Sequence, residues 1–187
     1  MQRMLFLFIL SAIINLGFSE GALAANYIGA ESCSVCHKVA ALSWEMSVHA
    51  KAFETLKPGV KKPEKIKAKL DPDKDYTDDI KCLKCHTTGY NEEGGFRDMT
   101  STPSMVGVGC ESCHGPGSKY KWLHAKNKNF TRAEARDNGE IFGSEDAAVC
   151  NECHLNKDKP FTEKMDKKYK FNYRKSLDNR KAYHLKK

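Results

Sequence analysis

The chain has 187 residues and a formal net charge of +7, with 29% charged and 40% hydrophobic residues. Beyond residue 18 no apolar run reaches the roughly 20 residues that a spanning helix requires, so stable membrane insertion is not expected. The length suits one domain, and a polar chain of this size needs a staple or a cofactor to complete its core.

At the N-terminus, Met1-Gln2-Arg3 precedes an apolar run from Met4 to Phe18, and Ala22-Leu23-Ala24 follows it. This is the order of a secretory signal with its cleavage site. Residues 1–24 are predicted to be a signal peptide and residues 25–187 one domain of 163 residues in the periplasm or outside the cell.

All eight cysteines then fall into four Cys-x-x-Cys-His motifs. The first is Cys33, Cys36 and His37; the second is Cys82, Cys85 and His86. The third is Cys110, Cys113 and His114; the fourth is Cys150, Cys153 and His154. Thiols three residues apart lie on one side of a helical turn, where they can form thioethers with the two vinyl groups of one haem. The next residue supplies the proximal imidazole to the same iron. Disulfides suit an exported protein and zinc favours Cys-x-x-Cys pairs, but neither explains a histidine in the fifth position of every motif. Four haem c groups are therefore expected, at about 41 residues each, too few to wrap each porphyrin separately. The haems must pack against one another. The expected fold is mainly α with little β, short helices and long loops wrapped around four packed c-type haems.

Between the motifs the elements read as follows. Val39, Leu42, Met46 and Phe53 recur at helical steps, predicting a helix over 37–56 that carries His49 about 18 Å beyond His37. His49 is thereby aimed at a different haem. Residues 57–79 contain Pro58, Pro63 and Pro72 and read as an exposed connection with one short helix near Glu64 to Leu70. Gly94 and Gly95 mark a turn beside Phe96. Gly115-Pro116-Gly117 interrupts any helix between His114 and His124. Trp44 and Trp122 are expected to pack on haem faces.

Seven histidines, four of them proximal, leave His49, His124 and His184 as distal ligands for four irons. One iron is then five-coordinate or takes water, Met, Lys, Tyr or the new N-terminal amine. Met99 and Met105 lie between the second and third motifs, although methionine more often serves as packing.

Three stretches, Ser43-Trp44-Glu45-Met46-Ser47-Val48-His49-Ala50, Cys85-His86-Thr87-Thr88-Gly89-Tyr90 and the run from Gly107 to Gly117, resemble the tetrahaem cytochrome c-554 family of ammonia-oxidising bacteria. The resemblance covers essentially the whole chain after the signal; the connection and the tail match nothing in it. It implies a mainly helical fold with stacked haem pairs, three bis-histidine haems and one open haem. By position, it implies His124 opposite His37, His49 opposite His114, His184 opposite His154, and an open iron on His86. It also implies a carrier that accepts electrons from an oxidoreductase and passes them on.

The segment from Leu155 to Lys187 holds 12 Lys or Arg against 4 Asp or Glu. Haem propionates would offset most of the chain's positive charge, so this segment reads as a solvated face and not as a nucleic-acid surface. The leading expectation is an electron carrier between a donor and an acceptor redox protein. The alternatives are a nitric oxide or related nitrogen oxide reductase at the open iron, and a subunit of an extracellular cytochrome filament. The oligomeric state is left open.

Overall fold

The computed structural model describes residues 24–178. The predicted signal peptide, apart from Ala24, and His184 lie outside the described residues.

Short helices dominate, each of four to eight residues. In chain order they are α1 (Ala30–Ser34), α2 (Lys38–Glu45), α3 (Lys62–Lys67), α4 (Ile80–His86), α5 (Glu111–His114), α6 (Tyr120–Lys126), α7 (Arg132–Asp137), α8 (Ala147–His154) and α9 (Tyr173–Asp178). Among the described residues the β content is one isolated antiparallel bridge, Thr87 to Val106. The mainly helical expectation holds.

Helices this short are not stable alone and depend on caps and tertiary packing. The Asp79 carboxylate accepts from Lys81 N at 2.9 Å to start α4, and Asp146 accepts from Ala148 N at 2.8 Å to start α8. Thr131 and Glu134 form a reciprocal capping box on α7. Two of the four motif helices thus begin on an aspartate.

The helix predicted over 37–56 does not form as one element. α2 stops at Glu45, and the chain turns before a 3-10 turn at Phe53–Leu56. Tertiary bonds explain the early stop. The Trp44 indole N–H donates to Val108 O at 2.8 Å, Val108 N donates to His49 O at 3.0 Å, and Ala50 N donates to Ser47 Oγ at 3.2 Å. These contacts pull His49 off the helix axis, so the predicted 18 Å helical spacing from His37 does not apply. Gly107, at φ +79°, makes the close approach feasible, because a Cβ there would sit 2.5 Å from Ala50 O.

The apolar core gathers around the second motif. Phe53, Leu56, Tyr76, Leu83, Phe96 and Met105 are buried together, flanked by Tyr27, Leu70, Tyr90 and Val106. The turn expected at Gly94 and Gly95 leads the buried Phe96 into this cluster. Elsewhere the distribution is inverted. Val35, Val39, Leu42, Met46 (71% exposed), Val48 (77%), Trp122 and Leu155 all face outward. An exposed apolar set of this size marks a surface built to be covered.

The 57–79 connection is better anchored than a plain surface excursion. Its helix spans Lys62–Lys67 and ends where Lys69 takes a left-handed conformation, φ 58°, letting Leu70 N donate to Lys65 O at 2.9 Å. Gly59 N donates to Pro72 O at 2.9 Å, and Tyr76 N to Leu56 O at 3.0 Å, closing the loop at its base. Inside it, Lys65 is buried, with Nζ donating to Lys57 O at 2.7 Å and lying 5.3 Å from the Tyr76 ring centroid. The segment after α8 lies alongside, through exposed pairs Lys67–Asp166 and Lys168–Glu64, each at 3.4 Å. Such exposed pairs add little stability singly. Tyr76 carries the attachment, so Tyr76→Ala is expected to destabilise the protein by about 3 kcal/mol. A denaturant titration in which Tyr76→Ala and the parent unfold at the same midpoint would show the loop to be only draped over the core.

Candidate haem-binding centres

Each motif forms a single helical turn, as thioether chemistry with one porphyrin demands. His37 N donates to Cys33 O at 3.0 Å, and His114 N to Cys110 O at 3.0 Å, while α4 and α8 contain the second and fourth motifs entire. The thiols are free of disulfides. Among the described residues, no three His, Cys, Asp or Glu side chains gather as a metal-ion site of the zinc type.

The two thiols of the first motif lie in different surroundings. Cys33 is half-buried, whereas Cys36 is exposed, although its amide donates to Cys33 O at 3.2 Å and so keeps it on the same turn. The sequence treats the two as an equivalent pair; the structure seats Cys33 in the protein and leaves Cys36 on the outer side. The reason is local, because Val35, Cys36 and His37 all sit on the outward edge of the turn that leads into α2. An outward thiol beside an outward imidazole leaves that edge open to a porphyrin approaching from the surface.

The structure brings the motifs together in a definite order. The Cys33 and Cys110 thiols are near enough to perturb each other electrostatically, and Glu111 of the third motif accepts from Gly29 N at 2.8 Å at the entrance to the first, so these two motifs adjoin. The Cys85 and Cys153 thiols are likewise near enough to perturb each other, so the second motif adjoins the fourth. Lys84 and Glu152, the residues just before the second cysteine of each of those motifs, pair at 3.0 Å. α5 packs on α8, so the third motif meets the fourth. The spatial sequence is therefore first, third, fourth, second.

These contacts shift the free thiols in opposite directions. The neighbouring Cys153 draws the Cys85 thiol down, while Cys153 is itself pushed up by Cys85 and by burial. Burial pushes Cys82 up to about 11.

The histidines sit in distinct settings. His86 places Nδ1 2.7 Å from Ala52 O and 3.3 Å from Thr55 Oγ1, and Thr55 Oγ1 donates to the same carbonyl at 2.6 Å. A carbonyl only accepts, so Nδ1 carries the proton and the lone pair lies on Nε2, the tautomer an iron ligand needs. Burial lowers the His86 pKa, which also favours the neutral ring. His154 stacks on Phe171 at 4.4 Å and 16°, and its ring centroid is 5.9 Å from that of His49 in an edge-on arrangement. Burial, then the neighbouring His154, lower His49 to about 4, so its ring is neutral at ordinary pH. His124 stacks on Phe130 at 4.3 Å and 18°, with Nε2 2.9 Å from Glu140 Oε2. A neutral His124 thus carries its proton on Nε2 and its lone pair on Nδ1.

The two candidate thioethers and the two tryptophans are also placed. Met105 is buried beside Phe53 and Phe96, whereas Met99 is exposed. Trp44 is held by its bond to Val108, and Trp122 is exposed.

Sequence reasoning missed Glu111, the residue after Cys110. It is only 1% exposed and accepts from Gly117 N at 2.6 Å, Gly29 N at 2.8 Å and Ile28 N at 3.0 Å. Burial raises its pKa, partly countered by these three backbone donors. The carboxylate fastens the strand entering the first motif onto the third. Its only sequence signal was a charged residue at a motif position that most side chains can fill.

These residues fit haem c: thiols and imidazole share one turn, His86 presents the required tautomer, and exposed apolar side chains flank the motifs. Fold and site define a c-type cytochrome, a protein that carries covalently bound haem c with iron and transfers electrons. A family profile described as "Cytochrome c554 and c-prime" matches residues 32–115. Cytochrome c-554 of Nitrosomonas europaea is 41% identical over 182 residues, spanning 87% of this chain and 77% of that protein. The solved structure of reduced cytochrome c554 from Nitrosomonas europaea superposes with a TM-score of 0.78 at 40% identity, covering 87% of this chain and 86% of that one. The chain belongs to the cytochrome c-554 family. Among its described residues no helix is long and apolar enough to cross a membrane.

Glu111→Gln offers one acceptor oxygen where three amides converge on two, and is expected to cost about 2 kcal/mol. Equal stability of variant and parent in guanidinium titrations would remove Glu111 as the fastening of the first motif to the third.

Proposed function

We propose that the chain is an exported tetrahaem electron carrier, with one haem c on each thiol pair and redox proteins as donor and acceptor. The observation that carries this reading is the continuous spatial series of the four motifs, since electron tunnelling falls steeply with distance. The attachment pairs are Cys33 with Cys36, Cys82 with Cys85, Cys110 with Cys113, and Cys150 with Cys153. His37, His86, His114 and His154 are the proximal ligands. His124, His49 and His184 serve as distal ligands on the first, third and fourth haems, following the family pattern. Bound haem c supplies a reversible one-electron couple at each iron.

The chain's own residues order and insulate these couples. Ala52 O holds the His86 proton on Nδ1, while Lys84 and Glu152 fix α4 against α8. Val39, Leu42 and Met46 on α2 and the turn after it offer the apolar cover that excludes water. Burial keeps His49 neutral and so competent as a ligand. On this reading residues 1–24 direct export and residues 25–187 form the cytochrome domain.

His86 has no histidine left as a sixth ligand. The histidine count leaves the second iron open, with Met105, buried in the cluster around the second motif, as the other candidate for its sixth position. The oxidised protein is expected to give one high-spin paramagnetic resonance signal beside low-spin signals. After reduction, carbon monoxide is expected to shift about a quarter of the Soret intensity, one haem in four. Four low-spin haems with no carbon monoxide response would overturn the open-iron assignment.

A further inference from the structure

His124 is restrained at two places. Phe130 stacks on its ring face, 4.3 Å between centroids and 18° from parallel, and Glu140 engages its Nε2 edge at 2.9 Å. The Glu140 side chain is 11% exposed and that of His124 26%, so this is no solvent-washed ion pair. Glu140 is itself held in place. Its amide donates to Ala135 O at 2.9 Å at the end of α7, and the next amide, Ile141 N, donates to His114 O at 2.8 Å. The two arginines of α7 are engaged elsewhere, since Arg132 and Arg136 both pair with Glu145, each at 2.6 Å.

We propose that Glu140, which belongs to none of the four motifs, is a positioning residue for His124. It orients the ring and, through a charge-assisted hydrogen bond, makes the imidazole a stronger donor to the iron it serves. The inference rests on the reading of His124 as a distal ligand. A carboxylate on the far nitrogen of a ligating histidine fixes its tautomer and raises its basicity. A more basic ligand favours the ferric state, so this haem's reduction potential is lowered relative to one with a neutral partner at that nitrogen. Phe130 holds the ring plane, and Glu140 sets its rotation and its electron supply.

The test uses the holoprotein with Glu140→Gln, which keeps size and an acceptor oxygen while removing the charge, and Glu140→Asp, which keeps the charge. Potentiometric titration followed in the Soret band and by paramagnetic resonance is expected to show one low-spin haem moved to higher potential in Glu140→Gln. The number of low-spin signals stays unchanged, and Glu140→Asp returns toward the parent. A merely structural role would not produce a charge-dependent shift confined to one haem. Parent-like potentials for every haem in a folded, fully loaded Glu140→Gln would overturn the proposal. So would an equal shift in both variants. His124→Ala separates the underlying ligand reading. Loss of one low-spin signal supports His124 as a ligand, so a silent Glu140→Gln then removes only the role of Glu140. An unchanged low-spin set in His124→Ala defeats the ligand reading and this inference with it.

Discussion

The structure depends on one local constraint: two thiols and an imidazole displayed from a single helical turn, repeated four times. A turn of this kind needs no long helix, which is why elements of four to eight residues suffice throughout. It does need anchoring at its ends, because so short a helix has little stability of its own. Asp79 and Asp146 anchor the second and fourth turns, and Glu111 ties the third to the chain entering the first.

From this constraint follows the unusual division of apolar residues. Among the described residues, the region around the second motif closes a hydrocarbon cluster of its own, with Phe53, Leu56, Tyr76, Leu83, Phe96 and Met105. Around the first, Val35, Val39, Leu42 and Met46 are exposed instead, as is the Cys36 thiol. A chain that exposes those side chains while burying Lys65 is organised for contact with large flat apolar groups. The neighbouring thiols of Cys33 and Cys110 and of Cys85 and Cys153 place the attachment points in two close pairs, joined where α5 meets α8. Packing and conduction are then served by the same arrangement.

Much of this was legible in the sequence, because the motif is a local signal. Spacing within five residues fixes the turn, and eight cysteines without remainder fix the number of turns. The helical class and the scarcity of strands followed. What could not be read depends on contacts far apart in the chain. The apolar period across 37–56 is real, yet Val108, some sixty residues on, bonds both Trp44 and His49 and ends the helix at Glu45. The connection at 57–79 carries prolines and lysines, the composition of an exposed loop, and nothing local announces that Lys65 and Tyr76 turn inward. Glu111 and Glu140 were invisible for a like reason, since an acidic residue acquires its role only from the amides or the imidazole that folding brings to it. His184 lies outside the described residues; its role as a ligand follows from the histidine count, and its pairing with His154 from the resemblance.

The central claim is that a porphyrin is bonded at each of the four thiol pairs. Intact-mass spectrometry of the purified, fully matured protein tests it most directly. The account requires the mass of the processed chain plus about 2.5 kDa, the increment of four haem groups. A mass equal to the bare processed chain, or one raised by fewer than four haem increments in fully matured protein, would contradict it.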